Sequence, residues 1–211
     1  FEKSFGLHKV SATAFYEFNA ENTNTLTSTG RNYRTAGLDV LSNMVTPITA
    51  SGARTQTRRT SVAALVDYGY DAKYLVSGSI RRDGSSRFGL DNQFGTFWSA
   101  SAAWNIAKES FLDGSKLKAL KLRASYGLTG NAGVNINSYQ AALNYDVQYD
   151  NQGGSYVSNF GNNNLTWEKV TTYDVGVDVD MFKNRLTIGF DWYRRNTTDM
   201  YTVGPTLPEV L

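Results

Sequence analysis

The sequence contains no cysteine, only three prolines and a single histidine among its 211 residues. Without cysteine the chain has no disulfide, no thiolate nucleophile and no cysteine-ligated metal. Its longest unbroken apolar run, Val62-Ala63-Ala64-Leu65-Val66, is far shorter than the roughly 20 residues that a transmembrane helix requires. Its formal net charge of +2 is too small to favour nucleic acid as a partner. Helical membrane proteins and nucleic-acid-binding proteins are therefore disfavoured.

What the chain does contain points to β-structure. Nineteen glycines, thirteen tyrosines and 41% hydrophobic residues are typical of a folded chain of strands and tight turns. Seven segments alternate apolar and polar residues with a period of two, which predicts strands. These segments lie at about residues 10–18, 62–70, 74–80, 94–106, 120–128, 173–181 and 186–192.

Alternation by itself fits two opposite arrangements. A soluble sandwich turns the apolar face of each strand to its core, whereas a membrane barrel turns that face to lipid. The links between the predicted strands favour the barrel, because long or glycine-rich links (21–57, 84–92 and 130–165) alternate with links that include the short Asp71-Ala72 and 182–184. Long extracellular loops opposite short periplasmic turns are typical of outer-membrane barrels. We therefore predict an all-β, transmembrane antiparallel barrel wall with long extracellular loops at 21–57 and 130–165.

Seven strands do not close an up-and-down barrel, because such barrels have an even number of strands. An eighth strand at 139–149, where apolar residues also alternate, corrects the count but reverses the sides of everything that follows it. The other interpretation is that these 211 residues are a segment of a larger barrel.

Four blocks of sequence support that second interpretation. In order they are DYGYDAKYLVSGSIRRDGSSRFG (67–89), GTFWSASAAWNIAKESFL (95–112), LKLRASYGLTGN (120–131) and NNLTWEKVTTYDVGVDVDMFKNRLTIGFDWYRRNTTDMY (163–201). Through these blocks the chain resembles the SusC/RagA-type TonB-linked outer-membrane transporters of Bacteroidetes. One departure is Trp98, which stands where the family usually has proline and which changes only the local strand geometry.

The resemblance implies a 22-stranded barrel in the outer membrane, of which about seven or eight strands lie in residues 1–211. The plug domain, the segment that contacts the TonB complex and the remaining strands are expected outside these residues. It implies TonB-dependent import of a nutrient, a glycan or a peptide, with a SusD-like surface lipoprotein as partner and lipid around the wall. A structural or adhesive barrel without active transport is the alternative.

The barrel orientation assigns a role to each face of the strands. Trp98 and Trp104 are expected to face lipid. The residues expected to face the lumen are Ser99, Ser101, Arg123, Asp174, Asp178 and Asp180.

No catalytic group is indicated, and we expect the chain not to be an enzyme. His8 has no nucleophile at a recognisable spacing. The carboxylates of Asp174, Asp178 and Asp180 alternate along one strand at about 7 Å per two residues, which fits a lumen lining better than a glycosidase pair. No cofactor or metal is expected. Calcium in the oxygen-rich loops is conceivable, but their spacing matches no known calcium loop.

The predicted loop at 130–165 is the best candidate for contact with substrate. It combines several asparagines with tyrosines, a mixture suited to stacking on sugar rings and bonding their hydroxyl groups. The candidate contact residues are Tyr139, Tyr145, Tyr149 and Tyr156. The same composition also suits a loop that binds only the lipoprotein lid, so both interpretations stay open at this point.

Overall fold

The computed structural model describes residues 1–150, 152–182 and 185–202, and it confirms the predicted all-β fold. The described strands are β1 (Glu2–Phe5), β2 (His8–Tyr33), β3 (Met44–Tyr70), β4 (Tyr74–Ser85), β5 (Phe94–Asn105), β6 (Leu117–Asn131), β7 (Ala142–Tyr149), β8 (Gln152–Asn159), β9 (Glu168–Met181) and β10 (Leu186–Thr198). Short 3-10 turns lie at Leu41–Asn43, Leu90–Asn92, Ile106–Lys108 and Ser110–Leu112. Within the described ranges, no helix is long and apolar enough to cross a membrane.

Eight of these strands form one sheet in the order β1-β2-β3-β4-β5-β6-β9-β10. Every pair of strands whose register is described is antiparallel. All seven predicted strand segments lie in this sheet, and the short edge strand β1 was not predicted. Among the described residues β1 and β10 are its two edges, so this stretch of chain forms an open wall.

The described chain forms two compact units, one of residues 1–18 together with the chain from Arg59 onward, and one of Asn19–Arg58. The prediction of a long loop at 21–57 is wrong about the secondary structure of this second unit. Strands β2 and β3 extend through most of it and are joined by residues 34–43. Its strand residues are mostly polar on both faces, so the alternation that identifies a half-buried strand is missing.

Asn43 organises the connection between β2 and β3. Its side-chain Nδ2 donates to the carbonyl oxygens of Thr35 at 2.7 Å and Leu38 at 2.8 Å. Its Oδ1 accepts from the backbone N–H of Thr35 at 3.2 Å. One buried amide thus satisfies several backbone groups of the link, which otherwise has few internal partners.

Residues 132–167 form an excursion from the main sheet, as the prediction of a long link at 130–165 implied. The excursion contains strands β7 and β8, which pair only with each other. The predicted eighth strand therefore exists in part, as β7, but it does not enter the main sheet. Because β6 pairs directly with β9, the sides assigned to the later strands are unaffected.

The buried apolar residues of the described chain gather at the end of the sheet that carries the links 86–93 and 132–167. The buried cluster consists of Phe88, Phe97, Val134, Leu165 and Trp167, with Leu128, Ala132 and Tyr139 packed against it. The ring of Trp167 contacts those of Phe88, at 5.1 Å between centroids, and Phe97, at 5.4 Å. This core fastens two links onto one end of the sheet and leaves most of both broad faces uncovered.

Candidate functional site: the two faces of the sheet and its ends

The six residues predicted to face the lumen share one face of the sheet. The register pairs Ser101 with Ser125 and Ser125 with Asp174, so these three lie in one row across β5, β6 and β9. Arg123, Asp178 and Asp180 lie in neighbouring rows of the same face. Ser99 precedes Ser101 by two residues along β5, so its side chain also points to this face. The hydroxyl of Ser99 is hydrogen-bonded to that of Ser79 at 2.7 Å. The register thus places all six on one face of the sheet; that this face lines a lumen stays a prediction.

Arg123 joins three strands on this polar face. Its Nε lies 2.8 Å from Asp178 on β9, and its Nη2 lies 2.9 Å from Asp191 on β10. In the register Arg123 lies opposite Gly176, and Gly176 opposite Asp191. A Cβ on Gly176 would overlap the Asp191 carboxylate and crowd the guanidinium. Glycine at this position therefore lets the arginine cross the middle strand.

The opposite face carries uncovered apolar side chains. Val76, Ala102, Ala124, Val175 and Trp192 form one row across five strands. In this row Val76, Val175 and Trp192 remain 51%, 50% and 54% exposed. A soluble sheet packs such a face on a second layer, and monomeric soluble proteins rarely expose apolar patches of this extent. Trp98 and Trp104, which we predicted to face lipid, lie on this same face.

Aromatic residues and Glu109 gather at the end of the sheet with the short turns. The Tyr74 hydroxyl donates to Glu109 Oε1 at 2.6 Å and the Trp104 indole donates to the same oxygen at 2.9 Å. These two hydrogen bonds, assisted by the charge of Lys73, hold the pKa of Glu109 below its ordinary range. The contacts tie the 106–116 link to strands β4 and β5.

His8, the single histidine, belongs to the same end and is fully engaged in packing. Its Nδ1 lies 2.8 Å from the Tyr68 hydroxyl. Its ring stacks on Phe5 at 5.2 Å and contacts Tyr70 at 5.0 Å between centroids. These contacts assign it a structural role beside the turn between β3 and β4.

At the opposite end, a polar cavity of about 320 Å³ lies beneath the excursion. One part of the cavity is lined by four charged residues: Arg59 on β3, Arg81 and Asp83 on β4, and Arg87 in the link after β4. Another part is lined by Asn131 and Trp167. Alternation places Arg81 on the polar face, but only the register and the folding-back of the excursion show that the three guanidinium groups share a cavity.

The four candidate substrate-contact tyrosines occupy different environments. Tyr145 and Tyr156 lie on the β7–β8 hairpin and are 72% and 49% exposed. Tyr139 instead packs against the buried cluster, and its hydroxyl accepts from Gln140 Nε2 at 2.8 Å. The backbone of Tyr149 pairs with Gln152, while its side chain lies outside the described residues. Three of the four therefore lie on the β7–β8 hairpin, and Tyr145 and Tyr156 are exposed on it.

Three features define a segment of a β-barrel: the antiparallel wall, its one polar and one apolar face, and the alternation of long links at one end with short turns at the other. A family model described as the β-barrel of TonB-dependent receptor-like proteins matches residues 3–210, so the chain belongs to this family. It is 35% identical over 217 residues to TonB-dependent receptor P3 of Formosa agariphila, covering 99% of this chain. It is 38% identical over 155 residues to the TonB-dependent receptor SusC of Bacteroides thetaiotaomicron, covering 68% of this chain. These relatives confirm the resemblance on which the sequence interpretation relied.

The fold also matches a solved structure of the RagAB peptide transporter, with a TM-score of 0.88, 26% identity and coverage of 98% of this chain. The match spans 24% of that transporter chain. The chain likewise spans only 21% of receptor P3 and 15% of SusC. These residues therefore correspond to one part of the barrel wall in much longer proteins.

Proposed function

We propose that this chain forms part of the wall of an outer-membrane importer that takes up a nutrient, a glycan or a peptide, by TonB-dependent transport. The observation that carries the proposal is the pair of uncovered, unlike faces. Apolar side chains such as Val175 and Trp192 stand exposed on one face, and Arg123, Asp174 and Asp178 stand on the other. Lipid outside and water inside stabilise such a wall without a second protein layer.

The family favours transport over a structural or adhesive barrel, because its named members are receptors and transporters. A closed wall is needed for this role, since each unpaired backbone group in hydrocarbon costs several kcal/mol. The strands that would pair with the edges β1 and β10 are accordingly expected in the rest of the protein. The wall encloses a polar path, and chemistry on the solute plays no part in its proposed role. The packing of His8 against Tyr68 and Phe5 supports this non-enzymatic role, and the absence of any cofactor stays a prediction.

The decisive experiment measures which of the two faces of the sheet contacts lipid. Single cysteines at Val175 and Asp174, introduced into the full-length receptor and spin-labelled, lie on opposite faces of β9. Neither native side chain makes a hydrogen bond or ion pair among the described residues, so the changes remove no contact of that kind. We expect the label at 175 to be relaxed by oxygen dissolved in the bilayer, and the label at 174 by a water-soluble nickel complex. The reverse pattern would overturn the proposal.

The β7–β8 hairpin is proposed as the surface that meets either a SusD-like lipoprotein lid or the solute itself. Leu143, Tyr145 and Val157 are exposed on it, and exposed apolar and aromatic groups on a fixed hairpin are typical of binding surfaces. Replacing Tyr145 by serine should weaken co-purification of the lid lipoprotein if the lid is the partner. If the solute is the partner, uptake should fall while co-purification is unchanged. Tyr16→Ser provides a matched control, because Tyr16 is 67% exposed but lies in the main sheet, on β2.

A further inference from the structure

The polar cavity beneath the excursion carries more positive charge than its own carboxylates neutralise. Arg81 is the balanced member: its Nε lies 2.6 Å from Asp83, and its Nη2 lies 2.9 Å from the Ser61 hydroxyl and 3.8 Å from Glu17. The side chain of Arg59 makes no hydrogen bond or ion pair among the described residues. Both carboxylates are thus paired with Arg81, whereas Arg59 and Arg87 have no carboxylate partner among the described residues.

Arg87 is held in place by the excursion. Its Nη1 donates to the carbonyl oxygens of Val134 at 3.0 Å and Ala132 at 3.3 Å. Within the described part of the chain, its buried Nε has no hydrogen-bond partner, and no carboxylate lies within ion-pair distance of the guanidinium. A guanidinium that is fixed by neutral carbonyls keeps its full charge, and most buried donors of this kind find an acceptor.

Fixed guanidinium groups with unused donors are suited to oxyanions. Arginine presents a planar set of N–H donors that matches the oxygens of carboxylate, sulfate and phosphate groups. The cavity volume of about 320 Å³ lies at the small end of ligand pockets, which range over roughly 300–1,000 Å³. A single charged sugar unit or a single acidic group of a larger solute fits this size.

We propose that this cavity, lined by Arg59, Arg81, Arg87 and Asn131, is a binding site for an oxyanion group, a sulfate or a carboxylate, carried by the solute that crosses the wall. The proposal rests on the proposed function, because it takes the polar face to be the lumenal one. The site lies at the end of that face beside the long excursion, where a solute entering from the excursion side arrives first.

The test is direct binding to the purified full-length receptor at constant ionic strength. Binding is measured by titration calorimetry with two probes, sodium sulfate and sodium galacturonate. Sodium chloride, a salt without an oxyanion, is the control for sulfate, and galactose, the uncharged analogue, is the control for galacturonate. Wild type should bind at least one of the two oxyanions and neither control. Binding of both indicates a general oxyanion site, and binding of one identifies the class of group carried by the solute.

Two substitutions on β3 and β4 locate the site. Arg59→Gln removes the unpaired guanidinium and should weaken oxyanion binding about tenfold, as expected for loss of one charge-assisted hydrogen bond. Arg82→Gln is the matched control, because Arg82 is exposed on the opposite face with its guanidinium 5.2 Å from the Phe94 ring centroid. It should leave binding unchanged. Equal effects of the two substitutions, or none, would overturn the proposal.

A third variant is expected to strengthen oxyanion binding, an effect that a purely structural role of the residue does not produce. Asp83→Asn keeps the size of the side chain but removes a negative charge from the cavity wall. It should tighten oxyanion binding about threefold, the effect of one unit charge at ~6 Å in a watery environment. Heat-modifiable migration on gels checks that each variant is folded. Weaker binding by folded Asp83→Asn receptor would count against the site.

Failure of this proposal is distinguishable from failure of the proposed function. If the label at 174 is reached by the nickel complex and sulfate and galacturonate still do not bind, only the oxyanion site is refuted. If the label at 174 lies in lipid instead, the lumenal orientation itself is wrong and both proposals fall.

Discussion

Gly130, near the end of β6, lies directly against the ring of Phe97. A Cβ added to Gly130 would overlap three ring atoms of Phe97. That ring cannot simply move away, because it is 94% buried and packs edge-on against Trp167. The substitution Gly130→Ala should therefore disturb the cluster that fastens the excursion at 132–167 to the sheet.

The expected magnitude follows from two opposing contributions. Overpacking a well-packed core typically costs about 1–3 kcal/mol. Replacing glycine by alanine in a strand recovers about 0.5–1 kcal/mol, because the unfolded chain loses freedom. Because the added Cβ would overlap three ring atoms, the cost falls in the upper half of the first range, and the net loss of about 1–2 kcal/mol corresponds to a factor of about 5–30 in the population in which the excursion is detached.

Limited proteolysis of the full-length receptor measures this population, because cleavage follows the open fraction when reclosing is fast. We expect cleavage within residues 132–167 to accelerate about 5- to 30-fold in Gly130→Ala. Gly78→Ala is the control: the nearest atom to its added Cβ is the Ser99 carbonyl oxygen at 3.9 Å. A second change, Phe97→Leu, should relieve the overlap and restore protection. Unchanged cleavage in Gly130→Ala would refute the packing argument.

Two further predictions concern charged groups at the other end and in the middle of the sheet. Glu109→Gln should remove a contribution to thermal stability that depends on pH. Because the pKa of Glu109 is lowered in the folded protein, this contribution is fully present above the ordinary carboxyl range of about pH 4–5. It is lost as the pH falls through the lowered pKa. Melting curves of wild type and variant should therefore converge on acidification, and parallel curves would contradict the assignment. Arg123→Gln breaks the pairs with Asp178 and Asp191; because all three groups are partly exposed, we expect only a small loss of stability. It should also shrink in 1 M salt, where the screening length is about 3 Å, and a loss independent of salt would indicate packing instead.

The strands of the main sheet could be predicted wherever one face is apolar and the other polar. β9 shows this most clearly, since Tyr173, Val175 and Val177 alternate with Asp174 and its neighbours, and the period of two directly encodes a half-buried strand. The same pattern is missing from Asn19–Arg58, where both faces are mostly polar. There β2 and β3 are held by backbone pairing, which leaves no trace in side-chain polarity, so the strands were predicted as a loop.

The edge strand β1 and the hairpin β7–β8 were harder for a different reason. Strand β1 has four residues, which is too short to establish a period. The alternation in β7 was recognised, but alternation identifies a strand without identifying its partner. Only the tertiary structure showed that β7 pairs with β8 and that β6 continues directly to β9.

The sequence by itself determined the class of fold, the polar and apolar faces, and the family, because face polarity and ordered blocks of residues are local properties of the chain. The tertiary structure alone decided which distant residues meet. Arg123 reaches Asp191 across Gly176 because three strands stand in register, and Arg59 shares a cavity with Arg87 because the excursion folds back over the sheet. Such contacts depend on strand pairing between segments far apart in the sequence, and no period within a single segment encodes that pairing.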